Sequence, residues 1–181
     1  VRGLDELRAR SDVPGVERLA MGIGLNTGQV TAGNLGSQSF MDYTVIGDTV
    51  NLASRLEGLT KQYRTTVIVS GETAERLDER FLLRELDRVR VKGKDRPVLI
   101  HELVGLEGEV DPARKQAVRV FGEGLSFYRK RDWSHAEEAF QEALALDPED
   151  GPAALYQERV SRFRNAPPPV EWEGVTVFDS K

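Results

Sequence analysis

The residues best suited to chemistry lie between Thr44 and Arg55. In the run Tyr43-Thr44-Val45-Ile46-Gly47-Asp48-Thr49-Val50-Asn51-Leu52-Ala53-Ser54-Arg55-Leu56-Glu57, a strand is predicted to end at Gly47-Asp48. Asp48 is then the expected N-cap of a helix over roughly 49–63. Asn51 and Arg55 are four residues apart, so both leave one face of that helix, beside a stripe of Leu52, Leu56 and Leu59. An amide and a guanidinium near a helix N-terminus make an anion-facing pair, because the helix dipole adds to the charge of the arginine. The same spacing equally describes a solvated Asn and Arg flanking a buried leucine stripe. A second candidate is the run Arg84, Arg88, Arg90, Lys92, Lys94 and Arg96, all at even positions, which a strand would present on one face. That face reads either as phosphate-contacting or as simply solvated, and Glu85, Asp87 and Asp95 dilute its charge.

Composition removes several other chemistries. The chain has no cysteine, which excludes disulfides, thiolate metal sites and cysteine nucleophiles. His101 and His135 are far apart in sequence and are expected to be ordinary strand and helix-surface residues. Gly22, Gly24 and Gly28 miss the dinucleotide-binding fingerprint by one position and are better read as permitting close strand packing and a turn. A net charge of −5 argues against nucleic acid as a partner. No apolar run reaches the length of a membrane span, so no membrane contact is expected from this segment. With 39% hydrophobic and 30% charged residues, the 181-residue chain has the profile of a globular protein. Because it opens at Val1 without a methionine, it is expected to be a processed or internal fragment.

The elements that must position these residues follow from pattern. Residues 4–20 read as a helix end and a loop broken at Pro14-Gly15. Met21–Asn26 and Gln29–Gly33 read as strands joined at Thr27-Gly28 in a hairpin, and Tyr43–Ile46 as a third strand. Thr66–Ser70 is a buried-type strand, 71–77 a short helix, and 82–92 with 97–104 a further strand pair. Strands with interspersed helices predict an α/β (α+β) sandwich, and the hairpins imply a mixed or antiparallel sheet.

Tyr43–Glu57, with Gly22-Ile23-Gly24-Leu25-Asn26-Thr27-Gly28 before it and Val91-Lys92-Gly93-Lys94 after it, resembles the C-terminal half of a class III adenylyl/guanylyl cyclase catalytic domain. The resemblance covers about residues 18–105 and implies a ferredoxin-like palm. It implies that Asn51 orients the ribose and that Arg55 stabilises the pentavalent α-phosphate as the 3′-hydroxyl attacks and pyrophosphate leaves. Thr44 falls at a purine-reading position, and its threonine favours ATP over GTP; Lys92 matches a lysine that contacts the terminal phosphates. The resemblance also implies Mg2+ or Mn2+ as cofactor and a second cyclase domain as partner. Two departures stand out. No basic residue occupies Gln38-Ser39-Phe40, and the half of the domain carrying two metal-binding aspartates and a purine-reading lysine has no counterpart in this sequence, which leaves no metal ligand to assign. The expectation is a parent adenylate cyclase in the cytoplasm, membrane-anchored by a segment elsewhere, with the isolated chain inactive. The alternatives are a guanylate cyclase and a silent cyclase-like module that binds a partner.

Past a linker at 106–116 the pattern becomes helical to residue 166. With Pro148 as its proline, a 34-residue repeat starts at Ala117 and puts Gly124, Phe127, Ala136, Phe140 and Ala143 on the small and aromatic positions of a tetratricopeptide-like hairpin. A generic helical hairpin is the simpler alternative. One repeat is too short to stand alone and is expected to dock on the cyclase sheet or on a protein partner. Residues 167–181 form a Pro-rich tail with a β-like Val175–Phe178. A cyclase domain followed by such a hairpin and tail resembles the end of bacterial receptor-type cyclases.

Overall fold

A computed structural model describes residues 2–178 apart from 12, 17, 18, 38, 39 and 92–95. After α1 (Arg2–Arg10), three strands follow: β1 (Ile23–Leu25), β2 (Thr31–Ser37) and β3 (Phe40–Ile46). Then come α2 (Asp48–Tyr63), β4 (Val67–Ser70), α3 (Gly71–Ala74), β5 (Phe81–Val91) and β6 (Val98–Leu106). Three helices, α4 (Pro112–Arg129), α5 (Trp133–Leu146) and α6 (Gly151–Asn165), precede a last strand, β7 (Val175–Phe178).

The main sheet is mixed, in the order β1-β4-β6-β5-β7. β1 and β4 are parallel, β4–β6 and β6–β5 antiparallel, and β5 and β7 parallel. The hairpin expected between 21–26 and 29–33 is not formed. β1 pairs with β4, and β2 pairs instead with β3 in a separate two-stranded ribbon. The reason is steric as well as topological. A Cβ on Gly24 would lie 2.2 Å from the Ala53 carbonyl oxygen and 2.3 Å from the Glu57 nitrogen, so this strand exists to lie against α2.

Leu52, Leu56 and Leu59 form the buried stripe of α2, as their spacing predicts, and Tyr63 extends it by a further turn. They join Ile68, Leu86, Val89, Val91 and Ile100 from the sheet and Phe121, Tyr128, Phe140 and Tyr156 from the three C-terminal helices in one continuous core. The helical unit therefore docks on the sheet. Small residues let its helices approach closely: a Cβ on Gly124 would meet the Phe140 ring at 2.8 Å, and Ala136 and Ala143 are fully buried. The tail returns to the sheet as β7. Among the described residues no helix is long and apolar enough to cross a membrane.

β5 departs from simple alternation. Glu85 pairs with His101 and Asp87 with Ile100, so Leu86 is an extra residue, and the strand bulges there. Before the bulge Arg84 and Leu86 point inward; after it Asp87, Val89 and Val91 do. The even-numbered cations accordingly do not share a face. Arg84 is buried, whereas Arg88 and Arg90 are exposed.

Candidate active site

The turn into α2 is built by Gly47, which has φ 146°, a conformation that side chains rarely adopt. Gly47 is the N-cap, through its carbonyl, which accepts from Val50 and Asn51 at 3.1 Å each. This corrects the expected cap at Asp48. Asp48 is the first helical residue, placing its carboxylate beside the positive end of the helix dipole. The first turn is held from the β1 side, where the Asn26 side-chain amide donates to the Thr49 carbonyl at 3.0 Å. A methyl group on Gly28 would lie 2.7 Å from Thr49 Oγ1, so this loop sits directly on the helix start.

Asn51 and Arg55 then emerge together, one turn apart. Asn51 is exposed and Arg55 half-buried, and neither lies on the Leu52–Leu56–Leu59 stripe that faces the core. Among the described residues no hydrogen bond or ion pair engages either side chain, which leaves a guanidinium and an amide uncommitted in the first half of one helix. Thr44 is half-buried on β3, opposite Gly33 of β2, four residues before the helix. The ribbon therefore hands the chain to α2 at the corner between Thr44 and Asn51. Lys92 lies outside the described residues, as do Lys94 and the Gln38-Ser39 part of the polar loop.

Arg84, read from sequence as a member of a cationic face, is not part of this constellation. It donates to Glu102 Oε2 from Nε at 2.8 Å and from Nη2, and to Asp150 from Nη1, with its guanidinium 4.7 Å from the centre of the Phe121 ring. A cavity of about 580 Å³ also lies elsewhere, lined by Tyr128, Arg159, Phe163, Trp172 and Phe178, and none of Thr44, Asn51 and Arg55 borders it. Among the described residues no three Asp, Glu or His side chains converge as metal ligands.

Sequence reasoning passed over Asn26, although it belongs to the glycine-bearing segment already singled out. It also missed a buried polar cluster at the far end of α2, built from Tyr63, Asp87, Arg159 and Thr176. Nothing local signals that cluster, because its members are brought together only by the fold.

Residues 4–104 match the family model for the adenylate and guanylate cyclase catalytic domain. The chain belongs to this family. It is 33% identical over 144 residues to the terminal-differentiation-specific adenylate cyclase of Dictyostelium discoideum, covering 76% of this chain and 7% of that protein. It is 43% identical over 102 residues to an adenylate cyclase of Anabaena cylindrica, covering 55% of this chain and 20% of that protein. The cyclase chain thus spans a fifth or less of the length of these two relatives. Among solved structures, a bacterial light-regulated adenylyl cyclase aligns with TM-score 0.50 and 26% identity over 66% of this chain and 34% of that one. The mixed α/β sheet with its covering helices agrees with that likeness. The family match stops before α4, so the helical unit and β7 lie beyond it.

Proposed function

We propose that this chain forms one side of an adenylate cyclase active site, which converts ATP to cyclic AMP and pyrophosphate. The observation that carries this reading is the pairing of an uncommitted Asn51 with an uncommitted Arg55 on one face of a helix whose N-terminus opens at a glycine corner. In the reaction the ribose 3′-oxygen forms a bond to the α-phosphorus, and the bond from that phosphorus to the bridging oxygen of the β-phosphate breaks. Pyrophosphate leaves, and the hydroxyl proton passes to solvent or a base. Arg55 meets the charge that builds on the α-phosphoryl oxygens, and Asn51 holds the ribose so that its 3′-oxygen stays in line. Thr44 contacts the purine, with its hydroxyl able to donate or accept, and Lys92 contacts the terminal phosphates. The divalent ions that this chemistry calls for would be held by the metal-binding half of the family's domain and would supply charge neutralisation and activation of the 3′-hydroxyl.

A second cyclase domain completes the site. The β2–β3 ribbon supports this: Met41, Tyr43, Val45, Ile46 and Leu35 are exposed along it, an apolar surface that a partner would cover. Four of these residues lie on the same strand as Thr44. The helical unit we take to be a tetratricopeptide-like repeat docked in cis, and the reaction to run in the cytoplasm, where ATP is made.

The test has two arms. Purified alone with ATP and Mn2+, the chain should yield no cyclic AMP. Joined to the metal-binding half of the family's domain, it should turn over, and Arg55→Ala should lower kcat by about a hundredfold or more. An unchanged kcat in the Arg55→Ala protein would remove the assignment.

A further inference from the structure

We propose that Arg159 of α6, acting through Asp87 and Tyr63, is a positioning residue for the cyclase reaction, so that the C-terminal helical unit sets the placement of α2. The inference rests on the reading of Asn51 and Arg55 given above, and it joins Tyr63 and Asp87 to Arg159, which lies beyond the stretch that matches the family.

The last turn of α2 is held by the helical unit and the tail at several separate points. Tyr63 is fully buried, and its hydroxyl donates to Asp87 Oδ2 at 2.6 Å. Burial pushes that hydroxyl well above its ordinary value of 10.0, the Asp87 carboxylate adding to the shift, so it remains a donor. The same Asp87 oxygen accepts from Arg159 Nη1 at 2.7 Å and from Thr176 Oγ1 of β7 at 2.7 Å, while Oδ1 accepts from the Arg88 backbone at 2.7 Å. Arg159 also reaches the Tyr63 hydroxyl at 3.4 Å, and its guanidinium lies 5.2 Å from the centre of the Tyr63 ring. Phe178 of β7 sets its ring edge-on to Tyr63, with centroids 6.2 Å apart.

The backbone is joined as closely. Arg64, the C-cap of α2, is in the left-handed region at φ 53°, and its side chain pairs with Glu158 of α6 at 2.9 Å. A Cβ on Gly151, the first residue of α6, would lie 2.2 Å from the Arg64 carbonyl oxygen. Asp87 can occupy this junction only because the β5 bulge turns it inward.

These contacts act on the site because a helix is stiff. Arg55 stands eight residues before Tyr63, about 12 Å along the axis at about 1.5 Å per residue. A tilt of about 5° at the anchored end moves the guanidinium by about 1 Å, and a misplacement of that size can cost on the order of a hundredfold in rate. Apolar burial is non-directional, so the leucine stripe fixes the tilt less sharply than the directed bonds at Tyr63 do.

Arg159→Met keeps the apolar stem and removes the bonds to Asp87. Hydrogen exchange should become at least tenfold faster at the amides of residues 58–63, while α5, which packs chiefly against α4 and α6, keeps its protection. In the two-half cyclase assay kcat should fall about tenfold with KM for ATP within twofold, and Arg159→Lys should recover at least half of the loss. If Arg159→Met cannot be folded, Glu158→Ala, which deletes only the exposed pair to Arg64, should still speed exchange at residues 58–63 two- to threefold. Unchanged exchange in α2 overturns the tether. Faster exchange with normal kcat, in an enzyme that Arg55→Ala inactivates, overturns the positioning role. If Arg55→Ala leaves turnover intact, the site assignment has failed, and the exchange result still decides whether the tether exists.

Discussion

The two ends of α2 are built in opposite ways. Over its first half an asparagine and an arginine project with no hydrogen-bond partner among the described residues. At its finish a tyrosine, an aspartate and an arginine satisfy one another in the core. Arginines in this chain sort by the same criterion. Arg84, which is buried, and Arg159, which is largely covered, are paired with carboxylates supplied by other elements, whereas Arg55 is left without one. Burying a guanidinium without an acceptor is costly, so a fold provides acceptors for the arginines it uses as struts. An arginine held at a half-buried position with no acceptor is available to a ligand. The same contrast separates the ribbon, with apolar side chains exposed along β3, from the helical unit, whose aromatic residues are packed in a continuous series from Phe121 through Tyr156 and Tyr128 to Trp172.

Three measurements would break or sharpen this contrast. The largest effect is expected at Arg84, where Arg84→Met takes the buried cation from Asp150 and leaves Glu102 with only the Thr65 hydroxyl and Arg114 at 3.3 Å. Urea unfolding should show a loss of about 3–5 kcal/mol, against no more than about 0.5 kcal/mol for Arg55→Ala, which removes no hydrogen bond or ion pair among the described residues. Equal losses would erase the distinction between strut and site. Next, Tyr63→Phe deletes one hydrogen bond to a buried carboxylate and should cost about 1.5 kcal/mol by the same method. A neutral result would mean that Arg159 and Thr176 hold Asp87 unaided.

The smallest effect is a pH dependence. Burial lowers the His101 pKa below its ordinary 6.5, opposed by Glu85 and reinforced by Arg129. The unfolded chain therefore binds the proton more readily than the folded one, and stability should decline as pH falls below about 6.5. His135 works with the opposite sign. Its bond to Asp132, 2.7 Å away, raises its pKa, so its contribution is present below 6.5 and fades as pH rises through the raised value. Thermal unfolding from pH 5 to 8 should flatten at the acid end in His101→Gln. Persistence of the decline would assign it to the carboxylates instead.

The sequence by itself determined what depends on neighbours within a turn or a strand. The i, i+4 spacing of Asn51 and Arg55, the leucine stripe beside them, the glycine corner before them and the Val175–Phe178 strand are all short-range features, and periodicity suffices to read them. Only the tertiary structure decided what depends on partners far along the chain. An extra residue at Leu86 reverses the inside and outside of β5, so a row of even-numbered cations became a buried strut at Arg84 and a solvated pair at Arg88 and Arg90. β1 looked like half of a hairpin because the nearest strand in sequence is its usual partner. Its actual partner, β4, lies beyond α2, and the glycines that make this possible are seen to be needed only once the helix backbone is against them. The junction of Tyr63, Asp87 and Arg159 joins residues 24 and 72 positions apart, a distance that no local pattern spans, since the chain must fold before those groups share an environment.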